Sequence, residues 1–276
     1  MVIFICCFSG MKCCGLHIYL LLLFFLISCS AGRHCGEFLP PTVIAHRGGV
    51  SFAPENSLAA IAEAMSLGVD AVEVDVRLSS DGYVVVMHDE RIDRTTDGEG
   101  RVCDMPYAVI ASFSLRGTGG VTSEKVPLLE DVLGFVGGRC GVLVDVKSSS
   151  PGIEKAVTDV IVRCGAEGWV AVQSFSDSVL ERFCALGVSF PLEKLLVFKF
   201  PLLPFVFDGG ISYFSIDKYY YVSSFNIHKR FARLGFLEMI RREGKEVKLW
   251  TFGKDGCAGS IDLPVDGVIV DFPHFW

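Results

Sequence analysis

The chain has 276 residues, about half of them apolar, and a formal charge of −7 at neutral pH. That is material for one large domain or two small ones with a sizeable core. The acidic balance argues against nucleic acid as a partner, because nucleic acid wants a basic face.

The first segment stands apart. Lys12 is the only Lys, Arg, Asp or Glu before Arg33, and Ile18 to Ile27 is an unbroken apolar run of ten. Such a run is short for a membrane span but suits the apolar region of a secretory signal. Residues 1–29 are therefore expected to be a signal peptide or membrane anchor, residues 30–41 a linker, and the protein exported. Leu26-Ile27-Ser28-Cys29 resembles a bacterial lipoprotein processing site, with Cys29 as the lipidated residue. Cleavage near Ser30-Ala31 and an uncleaved anchor are the alternatives. The cysteines beyond the leader, Cys35, Cys103, Cys140, Cys164, Cys184 and Cys257, lack the close pairs of a zinc site and leave disulfides open.

From Thr42 onward, strand-like and helix-like segments alternate. Strands are predicted at 42–46, 70–77, 141–147, 169–174, 194–199, 212–217, 246–252 and 266–271. Helical spacing joins Leu58, Ile61, Ala62 and Met65, after the capping chemistry of Pro54-Glu55-Asn56-Ser57, and recurs over 128–136, 179–186 and 231–240. Strands joined by helices over 42–276 predict an α/β fold, a closed (β/α)8 TIM barrel, with an open doubly wound sheet as the alternative. One piece breaks the alternation: Leu78 to Gly82 is too short for a parallel crossover, and Asp81-Gly82 is a turn signal. Residues 72–88 are therefore expected to form an extra β-hairpin after the second strand, turning near Ser80-Asp81 and bringing His88 opposite Glu73.

A parallel strand buried on both faces should read as continuous Val, Ile and Leu. Three strand ends break this rule: His46-Arg47, Glu73 and Asp75, and Asp145 with Lys147. Period-two geometry turns the valines of 72–76 and 142–146 toward the helices and the charged residues into the barrel mouth. Three carboxylates converging there call for a hard divalent cation, Ca²⁺ or Mg²⁺, as cofactor. With one such ion, Arg47 and Lys147 leave the site positive and suited to a singly charged phosphodiester. His46 and His88 can then act as base and acid near neutral pH. Taken singly, each feature also has a structural explanation: a turn, a salt-bridged strand end, a capping aspartate. Their recurrence at one end of successive strands favours a site.

These residues resemble the glycerophosphodiester phosphodiesterases. The likeness rests on His46-Arg47-Gly48, Pro54-Glu55-Asn56-Ser57, residues 68–75, Asp81-Gly82, residues 85–89, Arg94-Thr95-Thr96, Pro127-Leu128-Leu129, Asp145-Val146-Lys147, Gln173-Ser174-Phe175, Leu249-Trp250-Thr251 and residues 266–271. The resemblance implies a TIM barrel, metal ligation by Glu73, Asp75 and Asp145, and catalysis by His46 and His88. It also implies release of an alcohol and sn-glycerol 3-phosphate from a small-molecule glycerophosphodiester, with Trp250 near the substrate. Asp145 stands where the family usually has Glu, Ser57 where it commonly has Thr, and residues 188–230 match poorly. Two other functions are carried alongside: a lysophospholipase D-type activity on lysolipids, and a non-catalytic surface binding protein. The apolar stretch Leu195 to Phe207 reads as a buried strand and packed turn, or as a lip facing a membrane surface.

Overall fold

Segments of four to eight residues, most of them containing valine, close into a ring of parallel strands: β1 (Thr42–Ala45), β2 (Ala71–Leu78), β3 (Gly141–Val146), β4 (Val170–Ser174), β5 (Leu192–Leu196), β6 (Ser224–His228), β7 (Glu246–Phe252) and β8 (Gly267–Val270). β1 pairs with both β8 and β2, so the sheet has no open edge and the doubly wound alternative falls. The computed structural model describes residues 41–147, 150–199, 202–203, 205–207, 211–254 and 261–276. The expected leader, with Cys29 and all of the linker except residue 41, lies outside them. Among the described residues no helix is long and apolar enough to cross a membrane. Cys103, Cys140, Cys164 and Cys184 are free thiols.

The outward valines of β2 and β3 are buried beneath α1 (Leu58–Ser66), α2 (Leu129–Val136), α3 (Ile153–Arg163), α4 (Asp177–Ala185) and α5 (Leu234–Arg242), in one core. Ile44, Leu143 and Ile269 form a small apolar plug inside the barrel, with Trp250 packed against it. The interior is otherwise polar at one level: Gln173, Glu193, Asn226 and Lys248 are all buried there. Asn226 donates to Gln173 and to Glu193, each at 2.7 Å, and Glu193 pairs with Lys248.

Several expectations are corrected. The sixth barrel strand is Ser224–His228, not 212–217. Its inward Ser224 and Asn226 are polar, which hides it from an apolar search. Residues 211–213 instead join an antiparallel three-stranded sheet with Phe198–Lys199 and Phe205–Phe207. The fifth strand starts at Leu192 and ends at Leu196, before the predicted 199. Helix α3 was not among the predicted helices, although Ile153, Val157, Val160 and Ile161 line its buried face.

The hairpin is present, with β2 running antiparallel to Val84–Val86. Gly82 takes φ of 86° at the turn, and Ser79 Oγ accepts the Tyr83 N–H at 2.9 Å. Val76 faces Val86, however, so the turn centres on Asp81 and the register differs by one from that expected. The ladder makes one more hydrogen bond, from the Met87 N–H to the Asp75 carbonyl at 2.8 Å, and His88 follows it at the mouth without pairing with Glu73. Beyond it, residues 88–128 fold over the rim around a separate small core, which includes Met87, Ile92, Val102, Ile110, Leu115 and Val126.

Candidate active site

At the end of β1 the chain turns sharply through left-handed backbone, with φ of 51° at Arg47 and 77° at Gly48. A Cβ at Gly48 would come within 2.9 Å of Ile61 Cγ1 on α1, so the close approach of loop and helix requires glycine. The turn directs the Arg47 backbone N–H to Glu73 Oε2 at 2.8 Å. Asn56, also left-handed at φ of 61°, clasps Asp75. Its Nδ2 donates to Asp75 Oδ2 at 2.8 Å, and its Oδ1 accepts the Asp75 N–H at 3.1 Å. Ser57 then caps α1, accepting the Ala60 N–H at 3.1 Å.

The parallel register sets Asp75 beside Asp145 on adjacent strands. Glu73, Asp75 and Asp145 are all buried, and one oxygen from each lies within 4.8 Å of the others. Lys147 Nζ donates to Asp145 Oδ2 at 2.7 Å and stands 3.2 Å from Asp75 Oδ1. Gln173 Nε2 donates to Asp145 Oδ2 at 3.3 Å, and Arg47 Nε lies 3.7 Å from Asp75 Oδ2. Asp145 Oδ1 is buried with no hydrogen bond at all. An unpartnered carboxylate oxygen in an all-oxygen, under-neutralised trio fits a hard divalent cation. The protonation pattern agrees. Burial, then the charges of Asp75 and Asp145, push Glu73 well above the ordinary carboxylate range. Burial, with the charge of Asp75, also raises Asp145 against the opposing pull of Lys147. At Asp75 burial is outweighed by Lys147, His88 and Arg47, which hold it down to about 2.

Both imidazoles are oriented by carboxylates. His46 Nδ1 bonds Asp271 Oδ1 at 2.6 Å, and His88 Nδ1 bonds Asp89 Oδ1 at 2.7 Å. Burial, together with the charges of Arg47 and Lys147, lowers His88 against the opposing pull of Asp75 and Asp89. Asp89 is itself gripped by Arg94 Nε at 2.5 Å and held down to about 2. Arg94 donates twice to Glu55, at 2.8 and 2.7 Å, and Glu55 accepts from Arg47 at 2.9 Å. A continuous run of charge-assisted hydrogen bonds thus ties the His88 ring to the Arg47 turn.

These groups frame a cavity of about 170 Å³, lined by His46, Arg47, Glu73, His88, Asp145, Lys147, Gln173, Phe175, Leu195, Trp250, Thr251 and Ile269. Of the residues singled out in the sequence, Asp75 alone lies beneath the wall rather than in it. Trp250 is held by donation from Nε1 to the Asn226 carbonyl at 2.9 Å, and its ring meets Phe175 and His228 edge-on. Asp271, Asn56, Asp89, Glu55 and Arg94 were not among the site residues expected from the sequence, where Glu55 and Asn56 read as helix-capping chemistry and Asp89 as a capping aspartate. Asp271 carried a usable signal: it is one more charge directly after an apolar strand end.

Comparison with known proteins agrees with this geometry. Residues 46–190 match the glycerophosphoryl diester phosphodiesterase family model. A putative glycerophosphodiester phosphodiesterase of Bacillus subtilis, YhdW, is 31% identical over 242 residues, covering 84% of this chain and 95% of the relative. The chain belongs to the glycerophosphodiester phosphodiesterase family. Membership makes it a phosphodiester hydrolase rather than a binding module on the same barrel. A glycerophosphodiester phosphodiesterase of Caldanaerobacter subterraneus is 32% identical, covering 84% of this chain and 94% of its own length. Among solved structures, an Agrobacterium tumefaciens glycerophosphodiester phosphodiesterase aligns with a TM-score of 0.69 at 27% identity, over 85% of this chain and 98% of that one. An Oleispira antarctica phosphodiesterase, in complex with the product sn-glycerol-3-phosphate, aligns at 0.70 and 25% identity, over 84% of this chain and 94% of that one.

Proposed function

We propose that this phosphodiesterase hydrolyses glycerophosphodiesters to an alcohol and sn-glycerol 3-phosphate by general acid–base catalysis between His46 and His88. The observation that carries the proposal is that each imidazole spends Nδ1 on a carboxylate. Nε2 is thereby left to take the proton of the attacking oxygen or deliver one to the leaving alkoxide. Glu73, Asp75 and Asp145 hold one divalent cation, Ca²⁺ or Mg²⁺. When bound, that ion supplies Lewis-acid stabilisation of charge on the phosphoryl oxygens. Arg47 adds positive charge on the same side, and Lys147 keeps Asp75 ionised and favours the ionised form of Asp145. Trp250 and Phe175 form the apolar wall against which the substrate carbons rest.

His46→Ala and His88→Ala should each lower turnover of glycerophosphocholine by roughly 10²–10⁴-fold, measured by coupled detection of glycerol 3-phosphate. Near wild-type turnover in either variant overturns the assignment. Chelation should abolish activity and added Ca²⁺ or Mg²⁺ restore it.

One observation favours a second substrate class, lysolipids. After β5, at the mouth end of the barrel, Leu202, Leu203, Phe205 and Phe207 are exposed. With the leader of residues 1–29 read as an export signal or anchor, such a lip would meet a membrane surface outside the cytoplasm. Wild-type protein that turns over no lysolipid would remove this reading, and lysolipid turnover and liposome binding unchanged by Leu203→Asp with Phe205→Asp would remove the lip from it.

A further inference from the structure

A second hollow adjoins the catalytic one on the hairpin side. It has a volume of about 560 Å³, and its walls include Arg77, Glu90, Arg101, Cys103 and Lys147. Lys147 lines both hollows, so the two are neighbours on either side of its side chain. Arg101 is already paired with Glu90, and Lys147 with Asp145 and Asp75. Arg77 differs. Its Nε and NH2 both donate to one neutral acceptor, the carbonyl oxygen of His88, at 2.9 and 2.7 Å. Among the described residues no carboxylate lies within ion-pair distance of it, although it is only partly exposed. Glu90, and after it Asp75, Asp89 and Asp145, attract this half-buried guanidinium from beyond contact distance, which leaves its fork open to an anion that can touch it. It is also the cation that grips the backbone of the second histidine, where a leaving alkoxide would exit past the His88 ring.

We infer that Arg77 and its hollow form a subsite for an anionic leaving group, an alcohol that itself carries a phosphate. This rests on the reading of the catalytic pocket given above and adds to it a substrate class. The diester phosphate lies among His46, Arg47 and His88, and the second phosphate of the departing alcohol lies against Arg77. Arginine suits this role because its planar fork can keep two N–H groups on the His88 carbonyl and still present another to a phosphate oxygen. Glu90 stays neutralised by Arg101, so the hollow does not repel the incoming anion.

The test compares two diesters in the full-length protein with metal present: glycerophosphoglycerol, and the same molecule phosphorylated on its departing glycerol. The readout is the ratio of their kcat/KM values, in which any general damage to catalysis cancels. Wild-type protein should favour the phosphorylated diester by about tenfold, mainly through KM, the effect of one charge-assisted contact. Arg77→Gln should bring the ratio close to one, and Arg77→Lys should keep part of it. Cys103→Asp, which places an anion in the hollow without touching the His88 carbonyl, should also remove the preference. A wild-type ratio near one, or a preference unchanged in Arg77→Gln and Cys103→Asp, overturns the subsite and leaves the catalytic assignment standing. Failure to cleave either diester overturns both.

Discussion

Replacing Asn56 by alanine should cost this enzyme about 3.5–8 kcal/mol of folding stability. The figure follows from three losses at one buried side chain. Asp75 Oδ2 forfeits a hydrogen bond to an ionised acceptor, worth about 1.5–3 kcal/mol. The Asp75 N–H loses its acceptor inside the barrel, a further 1–3 kcal/mol or so. Alanine must also adopt the φ of 61° that asparagine tolerates, at about 1–2 kcal/mol. Asn56→Gly suffers the first two losses but escapes the third, apart from about 0.4–1 kcal/mol of added unfolded-chain entropy. The glycine variant should therefore be the more stable of the two, by up to about 1.6 kcal/mol. Urea unfolding followed by tryptophan fluorescence and far-UV circular dichroism measures both, provided the m-value is unchanged. A loss below about 1 kcal/mol in Asn56→Ala would show that the clasp on Asp75 contributes little.

Three further outcomes are expected. Saturating Ca²⁺ or Mg²⁺ at about 100 times Kd should stabilise the protein by about 2.7 kcal/mol, or roughly 5–10 °C in Tm. Glu73→Gln or Asp145→Asn should abolish most of that gain, and a Tm indifferent to either ion in wild-type protein would exclude the acidic trio as a cation site. Asp89, held at about 2 by Arg94 against about 3.9 in the unfolded chain, contributes stability that is complete above the higher value. That contribution is lost as pH falls toward the lower one. Asp89→Asn should thus be less stable than wild type at pH 6, the gap closing by about pH 2, as read by thermal melts across the acid range. Arg94→Leu should cut turnover more than it raises KM, because it loosens the His88 support without touching the substrate pocket; a pure KM effect in steady-state kinetics would contradict this.

The parts legible in sequence were those where chemistry violated packing. Asp75 in Val74-Asp75-Val76 and Asp145 in Val144-Asp145-Val146 cannot be core residues, and period two alone turns them inward together. The barrel followed from the same valines. What escaped was whatever looked ordinary in one dimension. Ser224 and Asn226 made β6 look like a loop, because the barrel interior at that level is a hydrogen-bonded layer rather than an apolar one. Asn56 read as helix-capping chemistry, and nothing local links it to a carboxylate nineteen positions later. The one-residue register difference in the hairpin depended on whether the turn centred on Asp81 or between Ser80 and Asp81, a choice that backbone hydrogen bonds make and composition does not.

His88, Asp89 and Arg94 sit on residues 88–128, whose apolar side chains pack in a cluster separate from the barrel core. The catalytic centre is thus assembled from two independently cohering pieces, and the smaller has far less buried surface to resist opening. Warming should inactivate the enzyme reversibly at temperatures where the valine-rich cylinder is still intact. Truncation of Ile92, remote from the reacting atoms, should lower that inactivation temperature while leaving the main melt nearly in place.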